Sequence, residues 1–330
     1  MKMMVLAGLA VLVVAGMLYQ AVGARRAARR FAPPGMLIDA GGQRLHAVCA
    51  GDGSPLVLFE AGIAASSLSW TRVAPAVAAF ARTCAYDRAG LGWSNAAVAP
   101  RTVEQMIAEL DAVLTRTAAA EPAILVGHSF GAFLVLVYAA RYRERVAGVV
   151  LVDPPTEWHP LTEQRAWLLR RGIQASHLGG ALARIGVVRA CLALLTGGAP
   201  GAPRTFVRLL GPRALRTLEH LVGEVRKLPP DVHPAVQALW CQPKCFRGMA
   251  DHLGALGVMG AAAADVTTLG DVPLAIVSGG DQPPVVLAQH GALATLSSRG
   301  RHVVAAQSGH WVHLDQPEII VEAIKEICSA

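Results

Sequence analysis

The stretch Gly127-His128-Ser129-Phe130-Gly131 places a serine between two glycines in the pattern G-x-S-x-G. It follows the apolar run Ala123 to Val126 and precedes a helical stretch. A sharp turn between strand and helix would hold the seryl oxygen exposed and strained, and small glycines would let strand and helix approach closely. The pentapeptide alone also fits an ordinary glycine-rich turn, so the strand-turn-helix context carries the reading. The chemistry implied is nucleophilic attack by Ser129, and a serine hydroxyl needs a base to take its proton and a carboxylate to orient that base.

Candidates for both partners lie downstream. His310, in Ser308-Gly-His-Trp311, follows the last apolar run and precedes the final helix, which places it on a loop at the edge where Ser129 lies. His313, three residues on, is the fallback. For the acid, Asp281 in Ser278-Gly-Gly-Asp-Gln-Pro-Pro284 follows the run Leu274 to Val277 and gives the order Ser, Asp, His. Asp153, which ends the run Val149 to Val152, is its rival, and Glu157 is a more distant one. Negative charge developing on a substrate carbonyl needs fixed donors. One is expected from the backbone N–H of Phe130. The other is expected from the loop after Leu56 to Phe59, where Gly62 permits a tight turn and Ile63 offers its N–H.

The elements that must position these residues are legible in the hydrophobic pattern. Short apolar runs at Leu56–Phe59, Thr83–Tyr86, Ala123–Val126, Val149–Val152, Leu274–Val277 and His302–Ala305 alternate with amphipathic stretches at Thr102–Ala118, Phe130–Arg141, Val286–Leu296 and Pro317–Ile327. Continuous apolar strands alternating with helices predict an α/β fold, with a mostly parallel central sheet covered by helices on both faces. A hairpin from Met36 to Cys49 precedes it. From Pro154 to Leu269 no strand pattern occurs, and leucine, arginine and alanine recur at helical spacing with breaks at Gly197-Gly198 and Pro229-Pro230. That interval reads as a helical cap over the strand ends. The expected organisation is residues 1–24 as a transmembrane anchor or signal segment, 25–35 as a basic linker, 36–153 and 270–330 as the two parts of the core, and 154–269 as the cap.

Met3 to Ala24 is almost wholly apolar and long enough to span a bilayer as a helix. Val22-Gly-Ala24 also suits a signal-peptidase site, but the apolar region exceeds the usual length of about 7–15 residues. The reading is a retained single-pass anchor, with a secreted protein the outcome if the segment is cleaved. Arg25, Arg26, Arg29 and Arg30 on its C-terminal flank favour a cytoplasmic catalytic domain under the positive-inside rule, whereas Lys2 pulls the other way.

Composition sets the remaining limits. The 330 residues are 53% hydrophobic, with a net charge of +7 from 30 Lys+Arg against 23 Asp+Glu. The positive mean hydropathy of +0.42 argues against disorder. No basic run interleaved with aromatics appears, which speaks against nucleic acid as a partner. Six cysteines are too few for a disulfide scaffold. Cys49 and Cys84 read as buried thiols, and Cys241 and Cys245 are close enough to form a disulfide. No second pair completes a zinc site, so no metal and no cofactor is expected.

Taken in order, these segments resemble the α/β-hydrolase family from about Met36 to the end. Tyr86-Asp-Arg-Ala-Gly-Leu-Gly-Trp-Ser94 looks like the family's D-R-x-G-x-G-x-S segment, and Gly309-His310 with Asp315-Gln-Pro317 looks like its closing histidine loop. The resemblance implies that Asp87 and Arg88 are structural. Two departures stand out: Glu60-Ala61-Gly62 replaces the usual His-Gly of the oxyanion loop, and the acid loop is compact. Relatives that act as haloalkane dehalogenases or epoxide hydrolases carry aspartate at the nucleophile position, so Ser129 speaks against both. The function expected is a serine hydrolase acting on a lipophilic carboxylic ester, a small-molecule acyl substrate. Amidase, aminopeptidase, thioesterase or C–C bond hydrolase activity on the same fold is the alternative, as is a catalytically silent binding protein.

Overall fold

The computed structural model describes residues 2–118, 121–156, 161–196 and 225–329. They form two compact units, Met1–Ala32 with Gln174–Arg247, and Pro33–Ile173 with Gly248–Ala330.

The first unit begins with helix α1 (Lys2–Arg30), an exposed apolar helix long enough to cross a membrane. The helix runs through the arginine cluster, because Arg and Ala favour helix and no breaker occurs before Pro33. Of the stretch expected to be a linker, only Phe31–Gly35 is non-helical. Gln20, buried on α1, donates to the Cys241 carbonyl at 2.8 Å and accepts from Arg189 Nε at 2.8 Å.

The second unit is built on an eight-stranded sheet. Its strands are β1 (Met36–Asp39), β2 (Arg44–Ala50), β3 (Leu56–Glu60), β4 (Arg82–Tyr86), β5 (Ala123–His128), β6 (Val146–Val152), β7 (Leu274–Gly279) and β8 (Gly300–Ala305), in the order β1-β2-β4-β3-β5-β6-β7-β8. β1/β2 and β2/β4 are antiparallel and every other pair is parallel. Across both units, the remaining helices of the described residues are, in chain order, α2 (Ala74–Val77), α3 (Val103–Thr117), α4 (Phe130–Arg141), α5 (Glu163–Arg184), α6 (Val187–Thr196), α7 (His233–Trp240), α8 (Pro243–Ala264), α9 (Pro284–Ala294), α10 (Val312–Asp315) and α11 (Pro317–Cys328). The described residues between Pro154 and Leu269 contain helices and no strand.

Every residue of β3 and β5 is buried, as expected for strands covered on both faces. Alternate residues serve two cores. Leu58, Leu125 and Leu151 pack with Met106, Leu110 and Leu134 on one face, while Val57, Val126 and Val150 pack with Trp70, Ile320 and Ile324 on the other. Strand order reverses direction between β3 and β5, and such a switch leaves a crevice beyond the strands' C-terminal ends.

The cysteine reading needs one correction. Cys49 and Cys84 lie opposite each other in the antiparallel β2/β4 pair, with Cα atoms 4.0 Å apart, and form a disulfide. Spacing in the chain gave no sign of it, since only strand pairing brings the two together. Cys241 and Cys245 remain separate thiols, and burial pushes Cys245 up to about 12.

Candidate active site

Ser129 sits between the end of β5 and the start of α4 with φ 52° and ψ −124°. A side-chain-bearing residue in that region is strained and must be held there. Its N–H donates to Val152 O at 3.0 Å, and its carbonyl accepts from Ala132 N at 2.8 Å. The flanking glycines are required by space. A Cβ on Gly127 would lie 2.5 Å from Gly131 O, and one on Gly131 would lie 2.5 Å from Glu60 O. The turn presents Ser129 to a cavity of about 530 Å³ that is also lined by Asp153 and His310, with Ile63, Leu168, Leu253 and Leu256 among its apolar walls.

His310 follows β8 on the loop before α10, and its Nδ1 donates to Asp153 Oδ2 at 2.6 Å. Asp153 is buried, with only 1% of its side chain exposed, and follows β6 with φ 43°. Its carboxylate has two further donors: Gly279 N–H on Oδ1 at 3.0 Å and Gln282 Nε2 on Oδ2 at 2.5 Å.

Asp281, the first choice from sequence, is exposed and does not meet the imidazole. Its carboxylate lies against Gly309, where a Cβ would come within 2.7 Å of Oδ2. β6 and β7 are adjacent and parallel, so both acids arrive at one edge, and the path of the Gly309 loop brings Asp153 to His310. Glu157 lies outside the described residues. His313, the fallback base, is fully buried, with its ring 4.9 Å from Trp70 and 4.3 Å from His128.

His128 packs beside His310. Its Nε2 donates to His310 O at 2.9 Å, and the two rings are 4.7 Å apart. Burial, reinforced by His313 and His310, holds its pKa well below the usual histidine range. His128 is therefore a neutral prop, with Nε2 carrying the proton.

The loop after β3 is fixed by a buried ion pair. Arg88 donates to the Glu60 carboxylate, to Ala61 O and, at 2.6 Å, to Gly62 O, and Tyr86 OH also donates to Glu60. Burial raises the Glu60 pKa, and the Arg88 charge opposes the shift. Asp87 ties neighbouring turns by accepting from Ser67 N–H at 2.6 Å, Trp93 N–H at 2.8 Å and His46 Nδ1 at 2.8 Å. Arg88 thus fastens the loop that ends in Ile63. Among the described residues, the backbone N–H groups of Ile63 and Phe130 meet no hydrogen-bond acceptor.

Arg88→Met is expected to cost about 3–5 kcal/mol of stability by stranding a buried Glu60 carboxylate. Glu60→Gln on that background should recover part of the loss. Urea unfolding measures both, and an unchanged midpoint for Arg88→Met would contradict the clamp.

A family model described as alpha/beta hydrolase fold matches residues 55–174. Among solved structures, a thermophilic esterase from Thermogutta terrifontis superposes over 89% of this chain and 97% of its own, with a TM-score of 0.62 and 20% identity. The chain has the α/β-hydrolase fold. Curated proteins similar to this chain include YqjL of Bacillus subtilis (strain 168), an uncharacterized protein 33% identical over 104 residues, or 32% of this chain and 41% of that one. A haloalkane dehalogenase of Sphingobium indicum (strain DSM 16412 / CCM 7286 / MTCC 6364 / B90A) is 31% identical over 134 residues, 38% of this chain and 45% of that one. The matched stretches thus span less than half of either relative.

Three residues of the candidate site escaped the sequence reading as contributors: His128, Glu60 and Gln282. His128 stood in the motif and could have been noticed there. Glu60 was seen only as a departure from the usual oxyanion loop, and Gln282 carries no signal because its role depends on a carboxylate 129 residues away.

Proposed function

We propose that the chain is a serine hydrolase that cleaves a carboxylic ester through an acyl-enzyme, with Asp153 in place of Asp281 as the acid. The observation that carries this reading is the 2.6 Å contact between His310 Nδ1 and the buried Asp153, in a cavity that also holds the strained Ser129. With Nδ1–H committed to Asp153, His310 Nε2 is left to take the proton of Ser129 as its Oγ attacks the ester carbonyl. The imidazolium formed is stabilised by the Asp153 carboxylate. Ile63 and Phe130 N–H, which meet no acceptor among the described residues, would receive the oxyanion. Collapse of the tetrahedral adduct expels the alcohol, which takes the proton back from Nε2. A water activated by the same nitrogen then attacks the acyl carbon, and the acid leaves with Ser129 restored.

Apolar walls from Leu168, Leu169, Leu253, Leu256 and Val286 support a lipophilic substrate. The hydroxyl nucleophile supports acyl transfer over the dehalogenase activity named for one relative. A fluorophosphonate probe tests the reading, which predicts labelling of the wild type and none of Ser129→Ala. Equal labelling of the two would refute it.

For α1 we propose a retained membrane anchor, supported by its length and apolar surface. Full-length protein should stay with the membranes after a carbonate wash. A mature chain whose first residue is Arg25 would instead identify a cleaved signal.

A further inference from the structure

We propose that a second cavity, beside the one holding Ser129, receives the unbranched hydrocarbon chain of the acyl group; this rests on the serine-hydrolase reading. The cavity is about 590 Å³. Ala132, Phe133 and Leu136 of α4, Leu151 of β6, Ala263 of α8 and Leu293 of α9 form its apolar wall. Thr156, Thr162 and Gln289 are also present, and no charged side chain is among the described lining. The apolar wall of this lining gains free energy from covering by methylene groups.

Two observations connect this space to the chemistry. Pro154, Pro155 and Thr156 line both cavities, so the two adjoin along this three-residue segment. That segment is fastened at both ends: His290 Nε2 donates to Pro154 O at 2.8 Å, and Arg165 Nη1 donates to Thr156 O at 2.8 Å. His290 Nδ1 in turn accepts from Ser278 Oγ at 2.7 Å, and burial lowers the His290 pKa, which keeps the ring neutral in this role. The segment is a fixed sill. α4 supplies the second link. Its first residue, Phe130, offers the N–H proposed for the carbonyl oxygen, and Leu136 is six positions further along, about 9 Å at a rise of about 1.5 Å per residue. An acyl chain bonded to Ser129 that passes the sill therefore reaches the second cavity only beyond its first few carbons.

The test uses the full-length protein with two ester series, p-nitrophenyl esters of acids from acetate to dodecanoate and acetate esters of alkanols of matching lengths. For the acyl series, kcat/KM is expected to rise about fourfold per methylene beyond butanoate, from about 0.8 kcal/mol per buried CH₂. The alkanol series should stay flat. Ala263→Trp, which fills the second cavity and touches none of the proposed reacting groups, should abolish the rise while leaving butanoate hydrolysis within about twofold. Leu136→Trp is the companion variant should the first fail to fold. Parallel slopes in variant and wild type, or a rise confined to the alkanol series, would overturn the proposal. If no ester is cleaved, the serine-hydrolase reading fails separately, and calorimetric binding of decanoate to Ser129→Ala still reports on the cavity. Binding lost on adding Ala263→Trp supports the chain site, and binding unaffected by it refutes the site.

Discussion

Ser129→Ala is expected to lower kcat for activated esters by on the order of 10⁴ to 10⁶, leaving only the background supplied by binding and oxyanion stabilisation. The fold should be retained, because Ser129 is held by its backbone. Its N–H meets Val152 O and its carbonyl meets Ala132 N, and neither bond needs the hydroxyl. Alanine at φ 52° is as strained as serine there, so thermal unfolding should shift little. The comparison is made by steady-state kinetics on p-nitrophenyl butanoate, with active sites counted by fluorophosphonate titration of the wild type. Retention of more than a few per cent of the activity in a folded variant would remove Ser129 from the mechanism, and His310 would then need another nucleophile within the cavity.

Asp153→Asn is expected to lower kcat by on the order of 10³ to 10⁴ with little change in KM. An asparagine at 153 can still accept the Gly279 N–H through its carbonyl oxygen, so the end of β6 stays in place. The amide that replaces Oδ2 turns a donor toward His310 Nδ1. The imidazole then favours the tautomer with its proton on Nε2, the nitrogen that must be bare to take the proton from Ser129. Asp281→Asn should change kcat no more than a few-fold, since its exposed carboxylate faces Gly309 and not the imidazole. Kinetics on both variants at matched folded fraction decide the matter. A larger loss for Asp281→Asn would return that residue to the acid's role and show that the loop after β7 rearranges when substrate binds.

The parts of this protein that the sequence determined by itself are those set by short-range chemistry. Runs such as Leu56–Phe59 and Val149–Val152 can be satisfied only as buried strands, and amphipathic stretches between them can only cover a sheet, which fixes a parallel α/β core. Gly127 and Gly131 around Ser129 announce a tight strand-to-helix turn, because any side chain there would collide with backbone. The apolar run from Met3 to Ala24 is likewise a local property, and it forms the helix its composition requires.

What tertiary structure alone decided depends on how distant segments meet. Asp153 and Asp281 follow neighbouring strands and look equivalent in sequence. Their difference is which carboxylate the loop from β8 passes, and that depends on the joint register of β6, β7 and β8. Cys49 and Cys84 are 35 residues apart and become partners only because β2 and β4 pair antiparallel with those two positions opposed. Glu60 looked like a departure from a familiar loop until Arg88, at the end of the neighbouring strand, proved to neutralise it and to hold Ala61 and Gly62. A charge buried without such a partner would be costly, so the acid in the loop and the arginine beyond β4 are one device, made visible only by the pairing of β3 with β4.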